Sequence, residues 1–541
     1  MKTSHMILYM LITSLMLTIK VFTQSLGRDT RSNRVYGAEK ILFADPEYHT
    51  YEEIWNFLDS LSNLYPAITC LDTLGESQFQ GYFIPSIKIS DNPEIEEDEP
   101  AILFDGMHHS REPQSMEVCI ALIDYLLSNY GSDSLVTFWV NNVEIFIVPM
   151  LNPDGWKYVA DDSLTNPWWM KNQRDNDTNG VFNSNFDGVD LNRNYDFMWD
   201  LGGSGYPWHN RYRGPYPFSE KETVAKRNLA FKQKFVLSIT YHSYAEWVGA
   251  TTFYGSYSAP DADLFIEIAD SISRRIPKLN TIGQYNIEPL ACDGGGYSDC
   301  WMYAVPGALE FTVEVGTEWM APGQVALQVA QDNIPGALYL LDRVTRGPGL
   351  TGIITMERDP ISGNPIPARI KILELELPHH EGIIEPRMTD SLYGRYYRLL
   401  QPGTYTVEVS GEGFDTLFHN VVVSDEGWTQ LDAIITYSEK VTSLDNYFLL
   451  QNYPNPFNPI TTIKYQIPEI SFVTLRIYDV LGNEIETLVN EEKNAGIYEI
   501  EFNASSLTSS VSAIGGYASG VYFYQLKAGS YIETKKMLLI K

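Results

Sequence analysis

The 541-residue chain lacks long apolar runs, is poor in cysteine and is short of positive charge. Past the N-terminus no stretch reaches the roughly 18 consecutive apolar residues a membrane helix needs, so no transmembrane helix is expected in the mature chain. Only four cysteines occur, Cys70, Cys119, Cys292 and Cys300. That excludes a disulfide-stapled scaffold, and their spacing does not resemble a structural zinc site. Cys292 and Cys300 are close enough along the chain to pair, whereas Cys70 and Cys119 read as small core residues of a strand and a helix. With 38 Lys and Arg against 69 Asp and Glu, the formal charge is -31. Such a surface repels phosphate backbones, which argues against nucleic acid as a partner.

What is present begins with a leader. Lys2 precedes a mostly apolar stretch over 6–19. This reads as a secretory signal peptide, taken as residues 1–24, with cleavage between Lys20 and Gly27. No long prosegment separates it from Tyr48, so activation by prosegment removal is not expected.

The length is too great for one hydrophobic core. From Tyr48, apolar residues at helical spacing (Tyr51, Ile54, Phe57, Leu58, Leu61, Leu64) give way to strand-like segments at 68–74 and 82–89. An acidic loop at 94–99 leads to further apolar strands at 101–104 and 143–148, with a helical pattern at 116–127 between them. The alternation predicts an α/β catalytic domain over 46–346, with a mixed central sheet flanked by helices. Gly347-Pro348-Gly349 is a natural break. Beyond it, short strand-like segments separated by turn formers predict two small all-β sandwich domains, over 350–437 and 447–541.

The chemistry concentrates in five short motifs. The segment Gly106-Met107-His108-His109-Ser110-Arg111-Glu112 follows a buried strand. A three-residue step in a tight turn can aim the His109 imidazole and the Glu112 carboxylate at one point. Zinc favours such nitrogen and oxygen ligands. His108 competes for the role but points away from its neighbour in an extended segment, and ranks below His109. A third ligand is offered by His242, which also ends an apolar strand. Asn152-Pro153-Asp154-Gly155 and Asp190-Leu191-Asn192-Arg193-Asn194 follow in order. Phe311-Thr312-Val313-Glu314 sets a carboxylate in an apolar strand, where it requires either a partner or a chemical task.

Together these motifs resemble the zinc carboxypeptidases of the carboxypeptidase A/B superfamily. The resemblance implies one zinc ion bound by His109, Glu112 and His242, with Asp190 orienting a ligand histidine. It implies that Asn192 and Arg193 grip the substrate's terminal carboxylate and that Arg111 binds substrate too. Glu314 falls on the general base that takes a proton from water and passes it to the leaving amine. The implied substrates are the C-termini of peptides or proteins, with cell-wall peptides as an alternative using the same site.

Two positions depart from the family. Met170 follows Trp169 where an arginine that stabilises the oxyanion is expected, leaving Lys171, Arg174 or the metal to take its place. This departure also admits a catalytically silent, peptide-binding homologue. A mobile tyrosine has no clean match, and Tyr285 and Tyr297 both remain open. Asp299 falls either on the floor of the specificity pocket, where it would favour a C-terminal Lys or Arg, or in a solvated loop. The run Asp175-Asn176-Asp177-Thr178-Asn179-Gly180 hints at calcium, but Phe186 stands where a calcium loop needs Glu, so a solvated turn is the preferred reading.

Two resemblances cover the rest. Residues 352–437, with Pro367-Ala368-Arg369-Ile370 and Leu400-Gln401-Pro402-Gly403-Thr404-Tyr405, resemble a transthyretin-like sandwich. Leu449 to Pro459, Tyr478-Asp479-Val480-Leu481-Gly482 and Gly520-Val521-Tyr522-Phe523-Tyr524 resemble the C-terminal sorting domain of the type IX secretion system. That implies the secretion machinery as a partner and a secreted or cell-surface, outer-membrane-associated location.

Overall fold

The first helix, Tyr51–Leu64, shows how local sequence sets the start of the fold. The Thr50 hydroxyl accepts the Glu53 N–H, and the Glu53 carboxylate accepts the Thr50 N–H in return. This reciprocal cap satisfies donors that a helix start leaves unpaired. Ile54, Phe57, Leu58 and Leu61 form the buried stripe. The computed structural model describes residues 48–161, 166–254, 257–356, 367–411, 414–436, 447–452, 455, 457–505 and 517–539. The leader read at 1–24, the composition break at 439–446 and Pro454 and Pro456 of the proline-rich run lie outside the described residues.

Nine strands form one mixed sheet: β1 (Thr69–Glu76), β2 (Phe83–Ile89), β3 (Ala101–Gly106), β4 (Glu144–Val148), β5 (Leu237–His242), β6 (Trp247–Tyr254), β7 (Tyr257–Ser258), β8 (Asn286–Ala291) and β9 (Leu309–Glu314). Their order is β1-β2-β4-β3-β5-β9-β6-β7, with β8 beside β6. At the centre β4, β3, β5 and β9 run parallel. These strands are buried almost throughout, as expected for a sheet covered by helices on both faces. Register sets Gly106 opposite Tyr241 and His242 opposite Glu314. The ends of three neighbouring strands therefore meet at the carboxyl edge of the sheet, where open α/β sheets place their ligands.

Beneath that edge lies a buried ionic cluster. Lys226, on the helix Lys221–Gln233, donates to Asp105 of β3 at 2.7 Å, to Glu310 of β9 at 3.0 Å and to the Ser298 hydroxyl at 2.6 Å. All four residues are buried. Ser238 and Ser298 donate to the Glu310 carboxylate, and Thr240 to that of Asp105. The ammonium thus clamps two sheet strands and the helix Ser298–Ala304 together.

Cys292 and Cys300 form the disulfide. Cys119 is buried as expected, but Cys70 is partly exposed on β1 and is not a core residue. The reason is its place on an edge strand with only one neighbour.

After the helix Gly323–Arg346 the chain becomes all-β. The strands β10 (Gly349–Met356), β12 (Arg395–Leu399), β15 (Trp428–Gln430) and β16 (Ala433–Ile435) make one sheet. The strands β11 (Arg369–Ile372), β13 (Gly403–Ser410) and β14 (Leu417–Val423) make a second, and the two share one core. This sandwich docks on the α/β unit through the acidic loop. Arg395 pairs with both oxygens of Asp98 at 2.8 and 2.6 Å, and the Tyr393 hydroxyl donates to the Glu96 carbonyl. Nearby, the buried Arg398 pairs with Asp261 at 2.9 Å.

The C-terminal strands again form two sheets around their own core. One holds β17 (Phe448–Leu449), β18 (Ile460–Ile467) and β21 (Gly496–Asn503), and the other holds β19 (Ser471–Tyr478), β20 (Glu484–Lys493), β22 (Gly520–Ala528) and β23 (Tyr531–Leu539). Among the described residues no helix is long and apolar enough to cross a membrane.

Replacing Lys226 with methionine leaves Asp105 and Glu310 buried without their cation. The expected cost is about 3–5 kcal/mol, read from chemical denaturation of K226M against wild type. A loss below about 1 kcal/mol would show that the cluster does not hold the sheet.

Candidate active site

The ligand turn leaves β3 at Gly106, where no side chain fits because a Cβ would lie 2.8 Å from the Ser115 carbonyl oxygen. Met107 takes a left-handed conformation at φ 66°, which turns the chain sharply toward His108 and His109. The helix Pro113–Asn129 begins immediately after Glu112.

His109, Glu112 and His242 converge. The Nδ1 atoms of both imidazoles lie 2.9 Å from the Glu112 carboxylate, His109 against Oε1 and His242 against Oε2. One ligand atom from each lies within 4.8 Å of the others, and all three residues are buried. Two nitrogens and one oxygen make a donor set that suits zinc, with a fourth position left for water. The other face of His109 is fixed: its Nε2 lies 3.1 Å from Asp190. The second oxygen of Asp190 is buried without a partner. Burial alone would lower the His109 pKa, but Glu112 and Asp190 outweigh it and push it up to about 10. The same contacts hold Glu112 well below the usual carboxylate range, against its own burial. The carboxylates of Glu112 and Asp190 thus set a local field that favours positive charge and suits a cation.

His108 points away, as expected for an extended neighbour. Its ring is fully buried, with Nε2 2.8 Å from the Tyr195 hydroxyl and Nδ1 3.3 Å from that of Thr240. Burial lowers its pKa, so it stays neutral. The ring stacks on His242 at 5.4 Å and supports it from behind.

Glu314 ends β9 beside His242. Among the described residues its Oε2 has no partner, and burial, then the nearby Glu112 charge, raise its pKa to about 7. Asn192 sits on the floor side, where its amide nitrogen lies 3.4 Å from His242 Nε2 and its oxygen accepts the Ser298 N–H at 2.9 Å. The Arg193 guanidinium lies 4.2 Å over the Tyr297 ring. On the opposite side the Arg111 guanidinium lies 4.1 Å over the Trp319 ring. Asp299 is not a solvated loop residue. It is buried in the first turn of the helix Ser298–Ala304, and burial, then Glu310, raise its pKa to about 6.

The suggested stand-ins for the arginine absent at Met170 are both committed elsewhere. Lys171 is buried, donates to the Pro207 carbonyl at 2.9 Å and lies over the Trp169 ring. Arg174 pairs with Glu220 at 2.9 Å. Tyr285 is a packed aromatic whose hydroxyl accepts the Gly316 N–H, whereas Tyr297 is half-buried, with its hydroxyl accepting from Arg211 and its ring under Arg193. In the Asp-rich run, Asp175, Asp177 and Asp187 approach one another. Their oxygens accept backbone N–H groups from Gly180, Asn179, Asn176 and Asn183.

Sequence reasoning missed Trp319, Ser298 and Lys226. Trp319 lies outside every motif, and its carbonyl is tied to the site by the Ser243 hydroxyl at 3.1 Å. Its only sequence signal was an aromatic five residues after Glu314.

Comparisons with known proteins show the family. Residues 54–335 match the family model described as zinc carboxypeptidase, and residues 451–541 match a secretion system C-terminal sorting domain. A zinc carboxypeptidase of Saccharothrix mutabilis subsp. capreolus is 27% identical over 315 residues, covering 56% of this chain and 69% of its own length. Human carboxypeptidase D is 26% identical over 425 residues, covering 73% of this chain but only 27% of its own length. The carboxypeptidase A structure from Helicoverpa armigera aligns with a TM-score of 0.49 at 20% identity, covering 61% of this chain and 80% of that one.

His242→Ala is expected to abolish stoichiometric metal binding, and Asp190→Asn to weaken it about 10- to 100-fold. Metal analysis of the purified variants checks both. Full zinc retained in H242A would remove His242 from the site.

Proposed function

The chain belongs to the zinc carboxypeptidase family, and from that premise we propose that it is a secreted or surface-attached enzyme removing C-terminal residues from peptides. The convergence of two imidazoles and a carboxylate at the edge of the sheet, with Glu314 beside them, carries the reading. We assign residues 46–346 to catalysis, 350–437 to a transthyretin-like sandwich and 447–541 to sorting by the type IX secretion machinery.

His109, Glu112 and His242 would hold one zinc ion, with Asp190 fixing the ring of His109. A bound zinc supplies Lewis acidity and lowers the pKa of water to about 7. The protein's own groups do the rest. Arg193, with Asn192, faces the floor of the site and suits the substrate's terminal carboxylate, because its planar fork can bind both oxygens. Glu314 takes the proton from the attacking water and returns it to the leaving amine, a task served by a pKa near neutrality. Asp299, under the terminal side chain, favours Lys or Arg by charge pairing.

A second reading, a silent peptide binder, is favoured by Met170 and by the commitment of Lys171 and Arg174 elsewhere. Turnover decides between them. The zinc-loaded protein is expected to release Lys, Arg or apolar residues from peptide C-termini, and binding without cleavage would favour the silent reading.

Glu314→Gln is expected to keep zinc and lose turnover. Normal activity in E314Q would refute the assigned base. Asp299 gives a pH test. With a pKa of about 6 its carboxylate is charged above that pH and neutral below. Preference for C-terminal Lys over Leu, measured as a ratio of kcat/KM, should be high at pH 7.5 and fall as pH drops through 6. A ratio that does not change would take Asp299 out of the pocket.

A further inference from the structure

Hydrolysis of a peptide builds negative charge on the carbonyl oxygen. As water's oxygen bonds to the carbon, the carbonyl electron pair moves to oxygen and the water proton passes to Glu314. On collapse the pair returns, the C–N bond breaks and the proton goes to the amine. A preorganised donor aimed at that oxygen is among the largest contributions to such catalysis.

Lys171, Arg193 and Arg111 lie near the triad, and the first two already donate to backbone carbonyls. The Lys171 ammonium is buried and donates to Pro207. The Arg193 guanidinium donates to the Asn192 carbonyl and lies over Tyr297. Arg111 differs from both. Among the described residues its side chain is in no hydrogen bond or ion pair, and its Nε is buried without an acceptor. It is held only by the face of Trp319, whose backbone carbonyl accepts from the Ser243 hydroxyl, next to the ligand His242. Trp319 is itself braced edge-on by Trp168 and Tyr244, at 5.5 and 5.2 Å. Arg111 also lies between the ligands His109 and Glu112 in sequence, so its backbone moves only with theirs. Among the described residues it is the one of these three cations that makes no hydrogen bond, and its charge acts on Glu314.

We propose that Arg111, clamped on Trp319, is the catalytic residue that donates to the oxyanion, in a chain that carries methionine at position 170. The inference rests on the peptidase reading. Failure of that reading would show first, as wild-type protein without zinc or turnover. Arg111→Gln tests the inference alone. In zinc-loaded, full-length R111Q, kcat for an N-blocked dipeptide should fall about 100-fold or more, with KM within threefold. The phosphonate analogue of that dipeptide, titrated by calorimetry, should bind about 100-fold more weakly. The uncleaved dipeptide should bind E314Q and E314Q/R111Q equally. Met170→Arg added to R111Q should restore at least about tenfold of kcat by supplying a second donor. A kcat within threefold of wild type, or equal weakening of dipeptide and phosphonate, would make Arg111 a simple binding residue and overturn the proposal. R111Q that retains zinc and the wild-type melting temperature establishes that it is folded.

Discussion

Glu112 is the point on which the site turns. Its two oxygens each face a different imidazole, one from its own turn and one from a strand 130 residues later in the chain. Three like-directed strand ends must line up for this to happen, and β3, β5 and β9 do so because they pair in parallel with a fixed register. A slip of one residue would turn either His242 or Glu314 to the opposite face. The buried Lys226 cluster holds that register from below, linking Asp105 on β3 to Glu310 on β9. The meeting of two imidazoles and a carboxylate above and the ionic clamp beneath are therefore two faces of one constraint.

The two arginines divide the site. Arg193 stacks on Tyr297, next to the helix Ser298–Ala304 in the chain, and Arg111 stacks on Trp319. Aromatic rings hold both guanidiniums without neutralising them, so their charge stays available to an anionic substrate. A carboxylate partner in either place would have fixed the side chain equally well and cancelled that charge.

Much of this was legible in the sequence, and the part that was not has a physical reason. The ligand residues stand at the ends of apolar runs, so the strand pattern and the motif spacing point to the same edge of the sheet. The helical pattern from Tyr51 to Leu64, the strand read at 101–104, the apolar strand ending in Glu314 and the β-rich character beyond 347 follow from periodicity and turn residues, and the structure extends the two strands to 101–106 and 309–314. Lys226 was not legible, because a lysine in the polar-looking stretch Lys221–Gln233 reads as solvated until the fold brings Asp105 and Glu310 over it. The stacking of Trp319 on Arg111 joins residues more than 200 positions apart and leaves no local pattern. Cys70 misled for the converse reason: strand periodicity gives the face of a residue but not whether its strand lies at an edge.

The docking of the middle sandwich changes what the sequence break at 347–349 means. That break marks where composition shifts, but the electrostatic seam lies elsewhere, where Arg395 and Tyr393 cover Asp98 and Glu96. Glu99, in the same loop, already has its pKa raised to about 8 by burial and its acidic neighbours. A chain severed at Arg346 would strip the acidic loop of its covering cation and expose a patch of mutually repelling carboxylates. The Arg395–Asp98 pair thus makes the cover over that loop a part of the α/β unit's own charge balance.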